Sequence, residues 1–179
     1  MSTQRVTAIL VVHDGTTWLP EVVTSLATQT RSADRIMAVD TGSLDASAKL
    51  LKGARIPTIS LDREIGFGEA ISFAVGQLPP TTDPLNEWIW VLHDDCAFAK
   101  DALENLLTAV SERPNVAMAG PKLLGRSGAL KLKSAWFGWA PAKKSRAELA
   151  QGWLASIRFR SKPSLSSLAS KAEFLVFKC

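Results

Sequence analysis

The feature that most constrains the fold is a regular alternation of short apolar runs and segments of helical periodicity between residues 5 and 124. The apolar runs, which predict strands, are RVTAILVVHDG, ADRIMAVDTGS, IPTISL, WIWVLHD and NVAMAGPKLL. The segments between them, which predict helices, are TTWLPEVVTSLATQT, LDASAKLLKG, GFGEAISFAVGQL and KDALENLLTAVSERP. Strands without polar alternation, joined by helices, are typical of a parallel sheet that is covered on both faces. The sequence therefore predicts an α/β fold with a mostly parallel sheet and helices on both faces.

Four residues predict where the helices begin and end. Pro20 fits the first turn of the first helix, where a missing N–H costs no hydrogen bond. Ser43 is expected to cap the start of the second helix, and Gly53 to close it. Pro114 is expected to stop the fourth helix.

Each of the first four predicted strands ends in polar residues that include a carboxylate. These ends are His13-Asp14, Asp40-Thr41-Gly42, Asp62-Arg63 and His93-Asp94-Asp95. In open parallel sheets, ligands bind beyond the carboxyl ends of the strands. The recurrence of acids at these ends therefore predicts a ligand site along one edge of the sheet.

The fourth strand end, His93-Asp94-Asp95, has the composition of a metal site. Adjacent carboxylates are hard oxygen donors that suit Mg²⁺ or Mn²⁺, ions that also bind substrate phosphates. An isolated Asp-Asp pair is more often a polar strand end at solvent, and an isolated histidine is more often a structural residue. These residues alone leave both interpretations open.

Two further positions each have a functional and a structural interpretation. Asp40 precedes a small polar turn, where its carboxylate could accept a hydrogen bond from a nucleotide base or ribose, or could serve the turn itself. Gly66-Phe67-Gly68 opens a helix, which suits close approach of a phosphate or tight packing. The dinucleotide fingerprint fails here, because Ile71 occupies its third glycine position and the motif does not follow the first strand.

Charge divides the chain at about residue 124. Residues 1–124 carry 10 Lys and Arg against 15 Asp and Glu, a net charge of −5, whereas residues 125–179 carry 11 against 2, a net charge of +9. The second segment is rich in Ser, Ala, Lys and Arg and contains Trp136, Trp139 and Trp153. Residues 1–124 are thus predicted to form the folded domain and residues 125–179 an atypical basic tail.

Composition also excludes several classes of protein. Two cysteines, Cys96 and Cys179, make neither a disulfide framework nor a Cys-x-x-Cys metal site, which fits a reducing cytoplasm. No secretory signal is recognisable, and no apolar run approaches the roughly 20 residues of a membrane helix. A nucleic-acid partner is not expected, because the predicted folded domain is acidic. We therefore expect a cytoplasmic protein.

Taken in order and spacing, VTAILVVHDGTTWLPEVVTSLATQT, MAVDTGSLDAS, GFGEAISFAV, WIWVLHDD and NVAMAGPKLL resemble the N-terminal half of a family 2 glycosyltransferase. This resemblance covers about residues 5–124 and implies the Rossmann-like GT-A, or nucleotide-diphospho-sugar transferase, fold, incomplete at its C-terminal side. The nucleotide-sugar contacts that it implies are Val12, His13, Asp40, Gly42, Gly66, His93 and Asp94, and the implied metal ligand is Asp95. His93-Asp94-Asp95 would stand at the family's Asp-x-Asp position, and His93 departs from the usual first Asp.

The activity implied by this resemblance is transfer of a sugar from a nucleotide-diphospho-sugar to an unidentified acceptor. The acceptor would be a cell-envelope glycan or lipid, the cofactor Mg²⁺ or Mn²⁺, and the location the cytoplasm at the inner face of the membrane. By the same resemblance Val12 and His13 would line the nucleotide pocket, Asp40 would contact the base, and Gly66 would lie near the sugar nucleotide.

The resemblance stops after Leu124, where the only acids are Glu148 and Glu173 and none of the family's later motifs is present. No catalytic base is assigned. We expect a replaced tail, for instance from a frameshift or a premature end, that is poorly ordered. The competing interpretation is a basic, Trp-bearing segment that makes peripheral contact with anionic lipid.

Two alternative functions follow from the same residues. The first is a catalytically inactive remnant that binds a nucleotide sugar. The second is a nucleotidyltransferase of related fold, and the missing Gly-rich, Arg- or Lys-bearing loop after the first strand argues against it.

Overall fold

The computed structural model describes residues 4–112, 116–120, 123–124, 130–132, 136–138 and 174–178. The strands are β1 (Arg5–Val12), β2 (Arg35–Thr41), β3 (Thr58–Leu61), β4 (Glu87–His93), β5 (Val116–Ala119), β6 (Leu123–Leu124), β7 (Leu130–Leu132), β8 (Trp136–Gly138) and β9 (Phe174–Lys178). The helices are α1 (Leu19–Ala27), α2 (Ser47–Gly53), α3 (Phe67–Gly76) and α4 (Ala102–Ser111). Within this part of the chain, no helix combines the length and the apolar character needed to cross a bilayer.

The main sheet has seven strands in the order β3-β2-β1-β4-β9-β5-β8. The pairs β2–β3, β1–β2 and β1–β4 are all parallel, which confirms the predicted α/β architecture. Strand β9 runs antiparallel to both β4 and β5, and β8 runs antiparallel to β5. The prediction of one strand over NVAMAGPKLL was wrong in detail: β5 joins the main sheet, whereas β6 pairs with β7 in a separate two-stranded sheet.

Side chains alternate between the two faces of the main sheet and bury a separate core on each. The first core includes Val6, Ala8, Leu10 and Val12 of β1 and Trp88, Trp90 and Leu92 of β4, packed against α1, α2 and α4. The second includes Ile9 and Val11 of β1 and Ile89 and Val91 of β4, packed against α3. Since both faces are covered there, the central strands β1 and β4 contain no exposed polar alternation.

The helix ends agree only in part with the sequence prediction. Pro20 does lie in the first turn of α1. Ser43 does not cap α2, which starts at Ser47 after Ala46, and its hydroxyl instead accepts a hydrogen bond from the backbone N–H of Asp14 at 2.9 Å. Gly53 is the last residue of α2, but the left-handed residue after this helix is Arg55, with φ of 58°. Pro114 lies outside the described residues.

Candidate functional site

The strand registers bring four polar strand ends to one edge of the sheet. Val12 of β1 lies opposite Asp40 of β2, and Val11 lies opposite His93 of β4. In the β2–β3 pair, Thr41 lies opposite Leu61, so β3 ends at the same level. The predicted ligand edge is therefore a continuous row of loops that follow β3, β2, β1 and β4.

Asp94 joins the ends of β1 and β4 from a buried position. Its side chain is only 5% exposed, and its Oδ2 atom accepts a hydrogen bond from the backbone N–H of His13 at 2.7 Å. A Cβ atom at Gly15 would lie 2.5 Å from the same oxygen, closer than real Cβ atoms approach. Gly15 was absent from the predicted site, because the sequence showed only a turn glycine and gave no sign of its distant partner.

His93, Asp94 and Asp95 form a compact set of possible metal ligands. The His93 Nδ1 atom lies 2.8 Å from Asp95 Oδ1 and 3.0 Å from Asp94 Oδ1. The three ligand atoms lie within 4.8 Å of one another. The Asp94 carboxylate raises the pKa of His93 above its usual value, although partial burial of the ring opposes the shift.

This donor set fits a small divalent ion. Neighbouring ligands of an octahedral ion with bonds of 2.0–2.1 Å stand about 3.0 Å apart, which is the spacing found around His93 Nδ1. Two carboxylates with one imidazole are suitable ligands for Mn²⁺, and the carboxylates also suit Mg²⁺. The Asp95 side chain is 47% exposed, so a ligand held there would be accessible from the loop edge.

The imidazole of His13 lies between the ends of β1 and β2. Its Nδ1 atom is 3.0 Å from the Thr41 carbonyl oxygen and 2.9 Å from Thr41 Oγ1. The Thr41 hydroxyl in turn donates to the carbonyl of Val12 at 3.2 Å. Val12 is fully buried in the first core, so its side chain is not available to line a pocket.

Asp40 and Gly42 shape the loop after β2. The Asp40 side chain is buried, and its Oδ1 atom accepts a hydrogen bond from the Ser43 N–H at 3.0 Å. Gly42 has φ of +66°, and a Cβ atom there would lie 2.9 Å from the backbone nitrogen of Arg63. Both backbone conformation and packing therefore require glycine at position 42.

Arg63 and Asp14 connect the loops after β3, β2 and β1. The Arg63 guanidinium donates through Nη2 to Asp14 Oδ2 and through Nη1 to the Gly42 carbonyl, the latter at 3.0 Å. Asp14 has φ of 53°, and its Oδ1 atom accepts from the Leu44 N–H at 2.8 Å. The hydrogen bond from Arg63 lowers the pKa of Asp14, and Asp14 raises the pKa of Arg63. Both residues stand at predicted strand ends, but the sequence did not show that they pair.

Gly66 is the residue that precedes α3, with extended backbone at φ of −75°. A Cβ atom at this position would meet nothing within 4 Å, so packing does not require the glycine. The next residue, Phe67, packs its ring against that of His93 with centroids 5.2 Å apart. The predicted Gly66 loop therefore lies beside the candidate metal ligands and leaves open space there.

The predicted site residues thus fall into two connected groups. His93, Asp94 and Asp95 form the group at the end of β4, and Gly66 adjoins it through Phe67. Asp40 and Gly42 form the group after β2. His13 connects the two, because its backbone bonds to Asp94 and its ring to Thr41.

Parallel strands covered by helices, with polar residues at their carboxyl ends, define the class of open α/β proteins that bind ligands at that edge. The family model that matches this chain narrows the class, for it is described as glycosyl transferase family 2 and matches residues 7–161. The chain belongs to that family. The matched region extends past the predicted domain boundary at residue 124.

Three solved structures illustrate the fold that this chain shares. Residues 1–349 of TarS from S. aureus give a TM-score of 0.60 at 17% identity, covering 72% of this chain and 39% of that one. The mannosyltransferase PcManGT from Pyrobaculum calidifontis gives 0.58 at 17% identity, covering 69% and 37%. Glucosyl-3-phosphoglycerate synthase from Mycobacterium tuberculosis gives 0.53 at 13% identity, covering 69% and 46%.

At these identities the likeness shows the fold alone, the GT-A fold that the sequence predicted. The chain spans less than half the length of each of these three structures. A comparison with curated protein sequences gave no match.

Proposed function

We propose that this chain is a glycosyltransferase that uses a nucleotide-diphospho-sugar as its donor. The observation that carries the proposal is the convergence of His93, Asp94 and Asp95 at the end of β4, beside the polar ends of β1, β2 and β3. Membership of glycosyl transferase family 2 supports the same reaction class. The structures with this fold include complexes of TarS with UDP-GlcNAc and of PcManGT with GDP-Man and Mn²⁺.

The two groups of the site suggest how the donor binds. His13, Asp40 and Gly42 are proposed to hold the nucleoside, because they surround the loops after β1 and β2. His93 and Asp95 are proposed to face the diphosphate, with Asp94 buried behind them as the link to β1. The open space at Gly66 is proposed to accommodate the part of the donor nearest the sugar.

A divalent ion held by His93, Asp94 and Asp95 would neutralise the diphosphate as the bond to the sugar breaks. Mg²⁺ and Mn²⁺ are the proposed ions, and the M. tuberculosis synthase has been solved with Mg²⁺ and uridine-diphosphate. The bond from the His13 N–H fixes the buried Asp94, whose second oxygen lies 3.0 Å from His93 Nδ1, so these two donor atoms are placed before any ion binds.

The acceptor is proposed to be a cell-envelope glycan or lipid, reached from the cytoplasmic side of the membrane. The net charge of +9 over residues 125–179 supports contact with an anionic lipid surface, since each basic residue near such a surface contributes about 1 kcal/mol. In this proposal residues 1–124 hold the donor and the basic tail makes the peripheral membrane contact.

A second candidate is a protein that binds the donor without transferring the sugar. An inverting transfer requires a general base for the acceptor hydroxyl, usually a carboxylate. Within residues 125–179 the only carboxylate side chains are Glu148 and Glu173, so this segment offers few candidates for that base.

Turnover of the nucleotide-sugar donor distinguishes the two candidate functions. The protein is incubated with UDP-, dTDP- and GDP-sugars and Mn²⁺, and release of nucleoside diphosphate is measured together with binding of the labelled donor. Release indicates the transferase; binding without release indicates the non-catalytic protein. Absence of any binding contradicts both.

Metal dependence is tested with Asp95→Asn, which keeps the shape of the side chain and removes its charge. We expect loss of the Mn²⁺-dependent part of donor binding. Asp83→Asn is the matched control, because Asp83 precedes β4 at the opposite edge of the sheet. Metal-dependent binding that survives in Asp95→Asn would remove Asp95 from the site.

A further inference from the structure

The contacts of His13 determine which of its two ring nitrogens carries the proton. Two oxygen atoms face Nδ1, the Thr41 carbonyl at 3.0 Å and Thr41 Oγ1 at 2.9 Å. A carbonyl oxygen can only accept a hydrogen bond. The Thr41 hydroxyl has its own acceptor in the Val12 carbonyl at 3.2 Å, so its proton is directed away from the imidazole.

Nδ1 of a neutral His13 must therefore be the protonated nitrogen, because an unprotonated Nδ1 would place its lone pair against two acceptor oxygens. The other nitrogen, Nε2, is then an unprotonated acceptor. Asp14 Oδ2 lies 3.9 Å from Nε2, beyond hydrogen-bonding distance. That carboxylate oxygen also accepts from Arg63, so Asp14 offers no proton to the imidazole.

The side chain of His13 is 44% exposed, so Nε2 has access to a ligand at the loop edge. The rest of the residue is held in place, since Asp94 accepts from its backbone N–H at 2.7 Å. A ring anchored at its backbone and at Nδ1 cannot flip to exchange its two nitrogens without breaking the bond to Thr41. The acceptor is thus presented in one fixed orientation.

We propose that His13 Nε2 is a specificity-determining acceptor that binds a hydrogen-bond donor of the nucleoside. This inference rests on the proposed function and specifies the direction of the hydrogen bond: the protein accepts and the nucleoside donates. Two groups of a nucleotide supply such a donor: an N–H of the base and a hydroxyl of the ribose. A nucleoside that presents an acceptor to this position is disfavoured, because two lone pairs then face each other.

Two substitutions of His13 test the roles of its two ring nitrogens separately. His13→Asn can retain the donation to Thr41, because the Asn amide nitrogen occupies the place of Nδ1, but it lacks a group at the place of Nε2. His13→Gln reaches the place of Nε2 with an amide oxygen and loses the donation to Thr41. Binding of UDP and GDP is measured by titration calorimetry at pH 8, and thermal stability is measured for each variant.

We expect His13→Asn to keep the thermal stability of the wild type and to weaken binding of the preferred nucleotide about tenfold, the effect of one lost hydrogen bond. We expect His13→Gln to lower thermal stability and to retain more of the affinity than His13→Asn. A purely structural role for His13 predicts the reverse order of affinities.

Analogues of the preferred nucleotide identify the donor. If the base N–H is the partner, methylation of that nitrogen (3-methyl-UDP or 1-methyl-GDP) weakens binding to the wild type. The same methylation does not weaken binding to His13→Asn any further. If a ribose hydroxyl is the partner, the 2′-deoxynucleotide shows that pattern instead. Equal affinities of the wild type and His13→Asn for the nucleotide overturn this inference alone. Failure of the wild type to bind any nucleoside diphosphate contradicts both this inference and the proposed function.

Discussion

The carboxylate of Asp94 accepts a hydrogen bond from the backbone N–H of His13, 81 residues away in the sequence, at 2.7 Å. This contact holds the end of β4 against the end of β1. It also orients the second oxygen of Asp94 toward His93, 3.0 Å away. One buried side chain therefore connects the loop after β1 with the proposed metal ligands.

Replacement of Asp94 by Ala should destabilise the fold. It removes the buried side chain that accepts a hydrogen bond from the His13 N–H, at a cost of about 1–3 kcal/mol. Urea unfolding of the ligand-free protein measures the loss. Asp95→Ala, at the exposed neighbouring position, should change the free energy of unfolding by no more than about 0.5 kcal/mol. Equal effects of the two substitutions would show that the Asp94 contact is not stabilising.

Gly15→Ala should disturb the same contact from the other side. The added Cβ atom would lie 2.5 Å from Asp94 Oδ2, so the loop after β1 must shift, at a cost of about 1–3 kcal/mol. Gly76→Ala is the control, since a Cβ atom there meets nothing within 4 Å and alanine favours a helix. Thermal unfolding should show a lower Tm for Gly15→Ala and an equal or higher Tm for Gly76→Ala. A Gly15→Ala variant as stable as the wild type contradicts the close approach.

The Asp14–Arg63 pair should make stability sensitive to acid. The hydrogen bond from Arg63 lowers the pKa of Asp14 in the folded state, so the unfolded chain takes up a proton first as the pH falls. The stabilisation is therefore complete above the unfolded pKa of about 4 and is lost as the pH falls through the lower, folded pKa. Asp14→Asn removes this contribution. The Tm difference between wild type and Asp14→Asn should be constant from pH 5 to 7 and shrink below about pH 4; a difference that grows on acidification has the wrong sign.

Asp34 is a matched control for Asp14 at the opposite edge of the sheet. Burial alone would raise its pKa, but the hydrogen bonds from Arg31 and from the Val6 N–H outweigh that effect and lower it. Asp34→Asn should therefore lose stability with the same pH dependence as Asp14→Asn. It should leave nucleotide affinity unchanged, whereas Asp14→Asn should weaken it, because Asp14 adjoins His13. Titration calorimetry of both variants with UDP and GDP checks the contrast, and a similar loss of affinity in both would contradict the assignment of the ligand edge.

Local patterns in the sequence were sufficient to predict the first four strands and the sheet edge at which their polar ends lie together. Apolar runs mark buried strands, and the residue after the last apolar position of a parallel strand lies at the carboxyl edge; that is why Asp40 and His93 were placed correctly at this edge. Local patterns could not predict which residues contact each other across this edge. Contact between Asp94 and Gly15, or between Arg63 and Asp14, depends on the packing of loops that are distant in sequence.

Two predictions were wrong for the same reason, namely the helix cap assigned to Ser43 and the single fifth strand: in both places tertiary contacts decide the local structure. Ser43 has the side chain of a helix cap, but the loop after β1 lies close enough for its hydroxyl to bond to Asp14 instead. Tertiary contact thus overrides a local preference. Similarly, no periodicity within residues 115–124 indicates that β9 lies between β4 and β5.

His13 is bonded to Thr41 on one side and to Asp94 on the other, so the loop after β1 is tied to both neighbouring strands before any ligand arrives. Binding then requires little additional loss of conformational entropy from this loop. The heat-capacity change on nucleotide binding should accordingly correspond to the surface buried by the nucleotide itself, without the larger negative value that accompanies folding of a segment around its ligand.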